Sequence, residues 1–385
     1  MQTVVTAARL WDGTSLHQNP LILIEDGRIH SVTSRESSEL PAGARSLDYP
    51  GAILGPSFFD VHFHGAAGHD VMEATTPALQ KIGRFIASRG TAAYLATTVT
   101  APMDDTLRAL DSLANEIAKL PEPGRARPLG IHLEGPFLSH EKRGVHPPEH
   151  LLPPSTATFD RLFDAAHGHV RLITIAPELP GADELIRHAV GRGVRVSLGH
   201  SNATAAQTRA GIAAGGSSAT HTFNAMRALD HREPGILGTV LTSDDLYADL
   251  ICDGVHTTPE IVRLWWRAKG PERAILITDA LAAAGMPEGE YFLGGFAVEV
   301  KDGRAMARGV LAGSVLTLDR ALSNFVQFTG ATVDQGLRLL TRNPAAMTGL
   351  DHRAGSIVPG RAANLVAVDE QGKLVASIIA GAPVS

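Results

Sequence analysis

The segment Asp60–Gly65 reads DVHFHG, and His62 and His64 stand two residues apart after the apolar, turn-marked run GAILGPSFF. On a β-strand, residues two apart share a face, so both imidazoles aim the same way at the strand's end. Two histidines so placed are half of a metal site or two polar residues at a loop mouth, and the pair alone leaves both readings open. Other chemistry-bearing side chains recur at the same place relative to apolar runs. Glu134 ends ARPLGIHLEGP, His200 ends VRVSLGHS, and His221 and Asn224 close SSATHTFN. Asp253 and His256 follow LYADLI, and Asp279 ends AILITDA. Four histidines with two carboxylates suit Zn²⁺ or Fe²⁺ better than Mg²⁺, which prefers oxygen ligands and retained waters. Such a metal lowers the pKa of bound water toward ~7, and a nearby carboxylate can shuttle the proton. Metal-assisted hydrolysis is the expected class. A serine hydrolase is disfavoured, because the chain holds no G-x-S-x-G elbow.

These residues converge only if the intervening elements bring the strand ends together. Eight short apolar runs recur, the remaining ones being TAAYLATTV and VRLITIAPE. Most gaps between them carry helix-like segments, such as TPALQKIGRFIASRG, TLRALDSLANEIAKL, GADELIRHAVGRG and TPEIVRLWWRAKG. Alternating strand and helix predict a parallel sheet, and eight units predict a closed (β/α)8 barrel of the TIM type. An open doubly wound sheet more often carries a Gly-rich phosphate turn, and neither G-x-G-x-x-G nor a P-loop is present. In a barrel the C-terminal strand ends form one rim, which is where the candidate residues fall. Both chain ends read as β-rich, with a hairpin signal at Asp26-Gly27 and a turn at Gly372. We expect a small β-sandwich domain from residues 1–53 and 345–385, with the barrel over 54–344 between them. After the eighth run, YFLGGFAVEVKDGRAMARGVLAGS predicts a β-hairpin excursion around Asp302-Gly303.

Composition bounds the rest. The 385 residues are 44% hydrophobic and 19% charged, enough for a large core and unlike a disordered chain. A formal net charge of -6 weighs against general nucleic-acid binding but not against an anionic substrate met by a local basic pocket. The single cysteine, Cys252, permits no intramolecular disulfide, in keeping with a reducing compartment. With no run of about 18 apolar residues and no signal-peptide pattern at the start, a cytoplasmic location without a membrane partner is expected. Trp265 and Trp266 sit in an amphipathic helical segment and read as packing. His132 has the parity of Glu134, and we read it as a structural, hydrogen-bonded histidine.

Taken together, DVHFHG, HLEGPFLSHEKRGVHPP, SLGHSNAT, THTFNAM, REPGILG, CDGVH, TDA and LAGS resemble the N-acetylglucosamine-6-phosphate deacetylases of the amidohydrolase superfamily. The resemblance runs through NPAAMTGL and GSIVPGRAANLVAVD, nearly the whole chain. It implies Glu134 as the metal-binding carboxylate, His200 and His221 as further ligands, and Asp279 as the catalytic carboxylate. It implies that His146 polarises the acetyl carbonyl. It places Val145, Asn224, Ala225, His256 and the loop Leu311, Ala312, Gly313 and Ser314 on the substrate. Arg232, with His256, would bind phosphate and would reach the neighbouring subunit's site in a homodimer. Some family members lack the first-motif histidines and hold one metal. This chain keeps both, so one or two Zn²⁺ or Fe²⁺ ions per subunit are open to it, with Glu134 as the bridge. The reaction implied is removal of acetate from N-acetyl-D-glucosamine 6-phosphate. The rivals are a deacetylase of another N-acetylhexosamine phosphate, an N-acyl amino acid amidohydrolase and, more distantly, a non-catalytic binding protein.

Overall fold

The computed structural model describes residues 2–37, 41 and 43–384. All eight apolar runs form parallel strands: β1 (Phe58–Phe63), β2 (Thr91–Thr98), β3 (Arg127–Glu134), β4 (Val170–Ile175), β5 (Arg195–Leu198), β6 (Gly216–Ala219), β7 (Tyr247–Ile251) and β8 (Ala274–Ile277). Each pairs with the next in sequence order, the arrangement of a (β/α)8 barrel. Their near-continuous burial, complete in β2 and β8, is what helices outside and packed side chains inside require.

Closure of β8 onto β1 uses strand-end bonds rather than a full ladder. Asp279 donates its N–H to the His62 carbonyl at 2.9 Å, and His64 donates to the Ala280 carbonyl at 2.8 Å. The buried Asp60 carboxylate accepts from the Thr278 hydroxyl at 2.5 Å and from the His62 N–H at 3.3 Å. Burial pushes Asp60 up to about 7 against those hydrogen bonds. The seam therefore ties the backbone of the first motif to that of the last.

The helices follow the expected pattern. Thr76–Ser88 buries Leu79, Ile82 and Ile86, one face of a 3.6-residue period, and Thr75 caps its start by accepting from the Ala78 N–H. Met103–Ile117 buries Leu110, Leu113 and Ile117 and carries Asp104 and Asp105 in its first turn, favourable to the helix dipole. In Pro259–Arg273, Trp265 is fully buried and Trp266 packs edge-on against Phe325 at 5.0 Å between ring centroids. Both tryptophans are packing residues.

The chain ends share one sheet. Gln2–Trp11 pairs antiparallel with Pro20–Glu25 and parallel with Arg45–Pro56, and the latter pairs antiparallel with Leu365–Val368 near the C-terminus. Leu374–Ile379 and Ala382–Val384 extend the same sheet. The Asp26-Gly27 hairpin has φ of 48° and 76°, the doubly positive pattern of a type I′ turn. The excursion after β8 is a four-stranded antiparallel sheet, Gly289–Leu293, Phe296–Lys301, Arg304–Ala307 and Val310–Leu311. It turns at Asp302-Gly303 with φ of 50° and 70°, again as that dipeptide predicts. Cys252 is buried and free. Among the described residues, no helix is long and apolar enough to cross a membrane.

Candidate metal and active site

The six candidate ligands meet at the barrel rim as two buried triads: His62, His64 and Asp279, and Glu134, His200 and His221. Glu134, the last residue of β3, lies between them. Its Oε1 is 3.1 Å from Nε2 of both His200 and His221 and 3.4 Å from Nε2 of His62. Its Oε2 is 3.2 Å from His64 Nε2. Asp279 Oδ1 is 3.1 Å from His64 Nε2 and 3.4 Å from His62 Nε2. The parity argument holds for His62 and His64, whose Nε2 atoms lie 3.1 Å apart.

Four candidate ligands do not sit on strands, and His64 is the first residue past β1. His200, His221 and Asp279 each stand two residues past the end of β5, β6 and β8, with φ of 49°, 29° and 51°. Left-handed backbone is uncommon and costly away from glycine, and such strain concentrates at functional sites. The surrounding hydrogen bonds hold it. His221 donates its N–H to the buried Asp249 carboxylate, which burial raises to about 7. Ser314 donates its N–H to the Asp279 carbonyl at 2.7 Å.

The donor chemistry fits a divalent cation. His64 directs Nδ1 to the Thr97 carbonyl at 3.0 Å, and His200 directs Nδ1 to the Lys142 carbonyl at 2.8 Å. A carbonyl accepts only, so each ring carries its proton on Nδ1 and turns the Nε2 lone pair toward the cluster. Lone pairs converging at about 3 Å repel unless a proton or a metal lies among them. The electrostatics agree that the cluster wants positive charge. Burial opposes a charge on Glu134, yet His62 and the hydrogen bonds of His146, His200 and His221 hold its carboxyl well below the usual range. Burial likewise opposes the charge on Asp279, but His62 and His64 hold it at about 2. Despite burial, Glu134 lifts His221 to about 9.

Beside the triads opens a cavity of about 470 Å³ lined by His64, Glu134, His146, His200, His221 and Asp279 on its reactive side. Burial lowers His146 to about 4, against the pull of Glu134, so the ring is neutral near pH 7. Its Nδ1 accepts from the Thr100 N–H at 3.2 Å, which puts the proton on Nε2. That Nε2–H lies 3.5 Å from Glu134 Oε2 and can donate to a carbonyl oxygen in the cavity.

Of the expected substrate contacts, Val145, Asn224, Ala225, His256, Leu311 and Gly313 line this cavity. Ala312 does not: it is fully buried in the apolar cluster of Val145, Leu281 and Leu293, and its N–H donates to the Ala305 carbonyl. Arg232 is exposed and outside the cavity of its own chain, its N–H on the Asp230 carboxylate. Arg227 is occupied by Asn202. His132 lies below the triads, bonded to the Thr174 hydroxyl at 2.8 Å, as a structural histidine should be. Glu141, Lys142, Arg143 and Val99 also line the cavity and were not singled out. For Lys142 and Arg143, their place in the quoted KRGVH segment was the available signal.

The fold and this site define a metal-dependent hydrolase of barrel architecture. Residues 53–384 match the amidohydrolase family, and the chain belongs to that family. It is 38% identical over 370 residues to the N-acetylgalactosamine-6-phosphate deacetylase of Escherichia coli O157:H7, covering 96% of each chain. It is 36% identical over 361 residues to the N-acetylglucosamine-6-phosphate deacetylase of Lysinibacillus sphaericus, covering 94% of this chain and 92% of that one. Among solved structures it resembles a mutant of the Mycobacterium smegmatis N-acetyl-D-glucosamine-6-phosphate deacetylase in complex with N-acetyl-D-glucosamine-6-phosphate. That likeness has a TM-score of 0.91 and 35% identity, over 100% of this chain and 99% of that one.

The two triads predict separable metal positions. In a His62→Ala/His64→Ala protein, the position at Glu134, His200 and His221 should stay filled while the other empties. Elemental analysis checks this: loss of all metal would show that the first-strand pair anchors the whole centre.

Proposed function

We propose that the chain removes acetate from N-acetyl-D-glucosamine 6-phosphate, giving D-glucosamine 6-phosphate, in amino-sugar catabolism and recycling. The observation that carries this is the convergence, on one cavity, of Glu134 between two ligand triads, an ionised Asp279 and a His146 that presents Nε2–H. Glu134, His200 and His221 would hold one Zn²⁺ or Fe²⁺, and His62, His64 and Asp279 a second. When bound, such a cation supplies Lewis acidity that acidifies water and polarises a carbonyl.

The chain's own residues do the rest. Asp279, its carboxyl held low by His62 and His64, accepts a proton from the water that attacks the acetyl carbon. His146 donates its Nε2 hydrogen bond to the oxygen on which negative charge develops. Asp279 then passes the proton to the amide nitrogen as the C–N bond breaks, so water and amide become acetate and amine. Asn224 and His256 hold the sugar phosphate and orient the amide for attack. Arg232 adds its guanidinium from the neighbouring copy of a homodimer, which accounts for its exposure in the single chain.

Acetate release from phosphorylated and unphosphorylated N-acetylglucosamine tests this reading. The phosphorylated sugar should be preferred by about 10²-fold or more in kcat/KM, as a charge-assisted phosphate clamp requires. Equal rates would remove the phosphate assignment. Arg232→Ala should raise KM by about tenfold or more with metal content retained. A second reading, N-acetylgalactosamine 6-phosphate as substrate, is favoured by the 38% identity to the Escherichia coli O157:H7 enzyme. Including that epimer in the same assay decides between the two.

A further inference from the structure

We propose that Asp253 is a positioning residue for the substrate phosphate, acting through His256 by fixing the ring's orientation with Nδ1–H and so aiming a donating Nε2–H at the phosphate. The inference rests on the reading that His256 meets phosphate.

The segment CDGVH leaves β7 as a tight loop pinned at both ends. Asn324 donates Nδ2–H to the Cys252 carbonyl at 2.8 Å, and Thr257 donates its hydroxyl to the Ile251 carbonyl at 2.7 Å. Gly254, at φ +78°, adopts the left-handed backbone that lets Asp253 fold over the next residues. Asp253 Oδ1 then accepts from the N–H of Val255 and of His256, each at 2.8 Å. Those two bonds complete an Asx-type turn, and an asparagine would make them equally well.

The second carboxylate oxygen is not needed for the turn. Oδ2 lies 2.7 Å from His256 Nδ1, between side chains only 13% and 6% exposed. Burial opposes the charge on Asp253, but its bond to His256 and the two amides hold its carboxyl below the ordinary range. An ionised carboxylate accepts only, so the ring must carry hydrogen on Nδ1. Among the described residues Nε2 has no hydrogen-bond partner, and His256 lines the same cavity as Asn224 and Asp279. Asp253 therefore aims Nε2 at the cavity and provides the counter-ion for a ring that carries hydrogen on both nitrogens, with Nε2–H left to donate to phosphate. The logic is that of a carboxylate orienting a histidine, here for binding rather than proton transfer.

Asp253→Asn preserves the turn but places an NH₂ group against Nδ1, which must then accept, so the ring keeps a single hydrogen on Nε2 and loses the positive charge that faces the phosphate. We expect KM for the phosphorylated sugar to rise about tenfold, kcat to fall by less, and discrimination against the unphosphorylated sugar to drop in proportion. Imidazole ¹⁵N NMR should show His256 protonated at Nδ1 in the wild-type protein and not in the variant. A wild-type Nδ1 without hydrogen overturns the proposal, even if the variant fails to fold. So does an Asp253→Asn protein with unaltered KM, or one that loses both substrates equally. His256→Asn separates the two layers. If it leaves phosphate discrimination intact, the phosphate reading itself fails. If it abolishes discrimination while Asp253→Asn does not, only the role of Asp253 fails.

Discussion

Asp279→Asn should lower kcat by about 10³-fold while metal persists at Glu134, His200 and His221, as loss of the acid–base group predicts. The substitution preserves shape, takes one anionic oxygen from the triad of His62 and His64 and removes the capacity to accept a proton. The wild-type group is poised for that work: two imidazoles hold its carboxyl at about 2, so it is ionised at neutral pH. Its place in the centre is independent of that charge, because the Asp279 N–H and carbonyl are bonded to the His62 carbonyl and the Ser314 N–H. The backbone therefore still presents the substituted side chain over the rim, and a folding defect is not the expected cause of lost activity. A thousandfold loss corresponds to about 4 kcal/mol of transition-state stabilisation. Steady-state acetate release together with elemental analysis checks both halves. Full turnover in this variant would eliminate Asp279 as the proton carrier.

Glu134→Ala should reduce activity below detection and deprive the protein of metal at both positions. No other side chain among the described residues bonds across both triads in this way: one oxygen faces His200 and His221, the other faces His64. The carboxylate also supplies negative charge that a cation surrounded by neutral imidazoles lacks. Loss of a ligand shared by two positions is expected to weaken metal retention by well over the 10–100-fold typical of an outer-shell change. Glu134→Gln, which keeps the volume, separates charge from packing and should fail in the same way. Dialysis against a measured metal concentration, followed by elemental analysis, gives the readout. Retention of a full complement by Glu134→Ala would show that the five remaining ligands suffice, and that the bridging role is wrong.

Most of the architecture was legible because its determinants are local. Apolar runs of strand length, amphipathic segments between them and two Asp-Gly turns are each decided within about ten residues. The parity of His62 and His64 follows from the strand period and survives in the structure. Other features of the site depend on residues far apart in the chain. His200, His221 and Asp279 occupy left-handed backbone that neither their side chains nor their neighbours advertise, and distant hydrogen bonds maintain it. His146 was identified only by its resemblance motif. Its proton is assigned by Thr100, 46 residues away, through a backbone N–H that no side-chain pattern encodes. The exclusion of Ala312 from the cavity reflects packing of the excursion over the rim, again a long-range matter.

By itself the sequence determined which side chains could do chemistry and the order of strands that carries them. It also determined the donor set, because four histidines and two carboxylates select the metals they suit wherever they meet. The tertiary structure decided what depends on distance: that Glu134 stands between two triads, that Nδ1 of His64 and His200 is committed to carbonyls, and that Arg232 lies outside its own chain's cavity. The physical reason is that ligation and proton placement vary over tenths of an ångström, whereas a sequence pattern specifies only face and order. Closure of β8 onto β1 converts one into the other, bringing residues 62 and 279 within 3.4 Å.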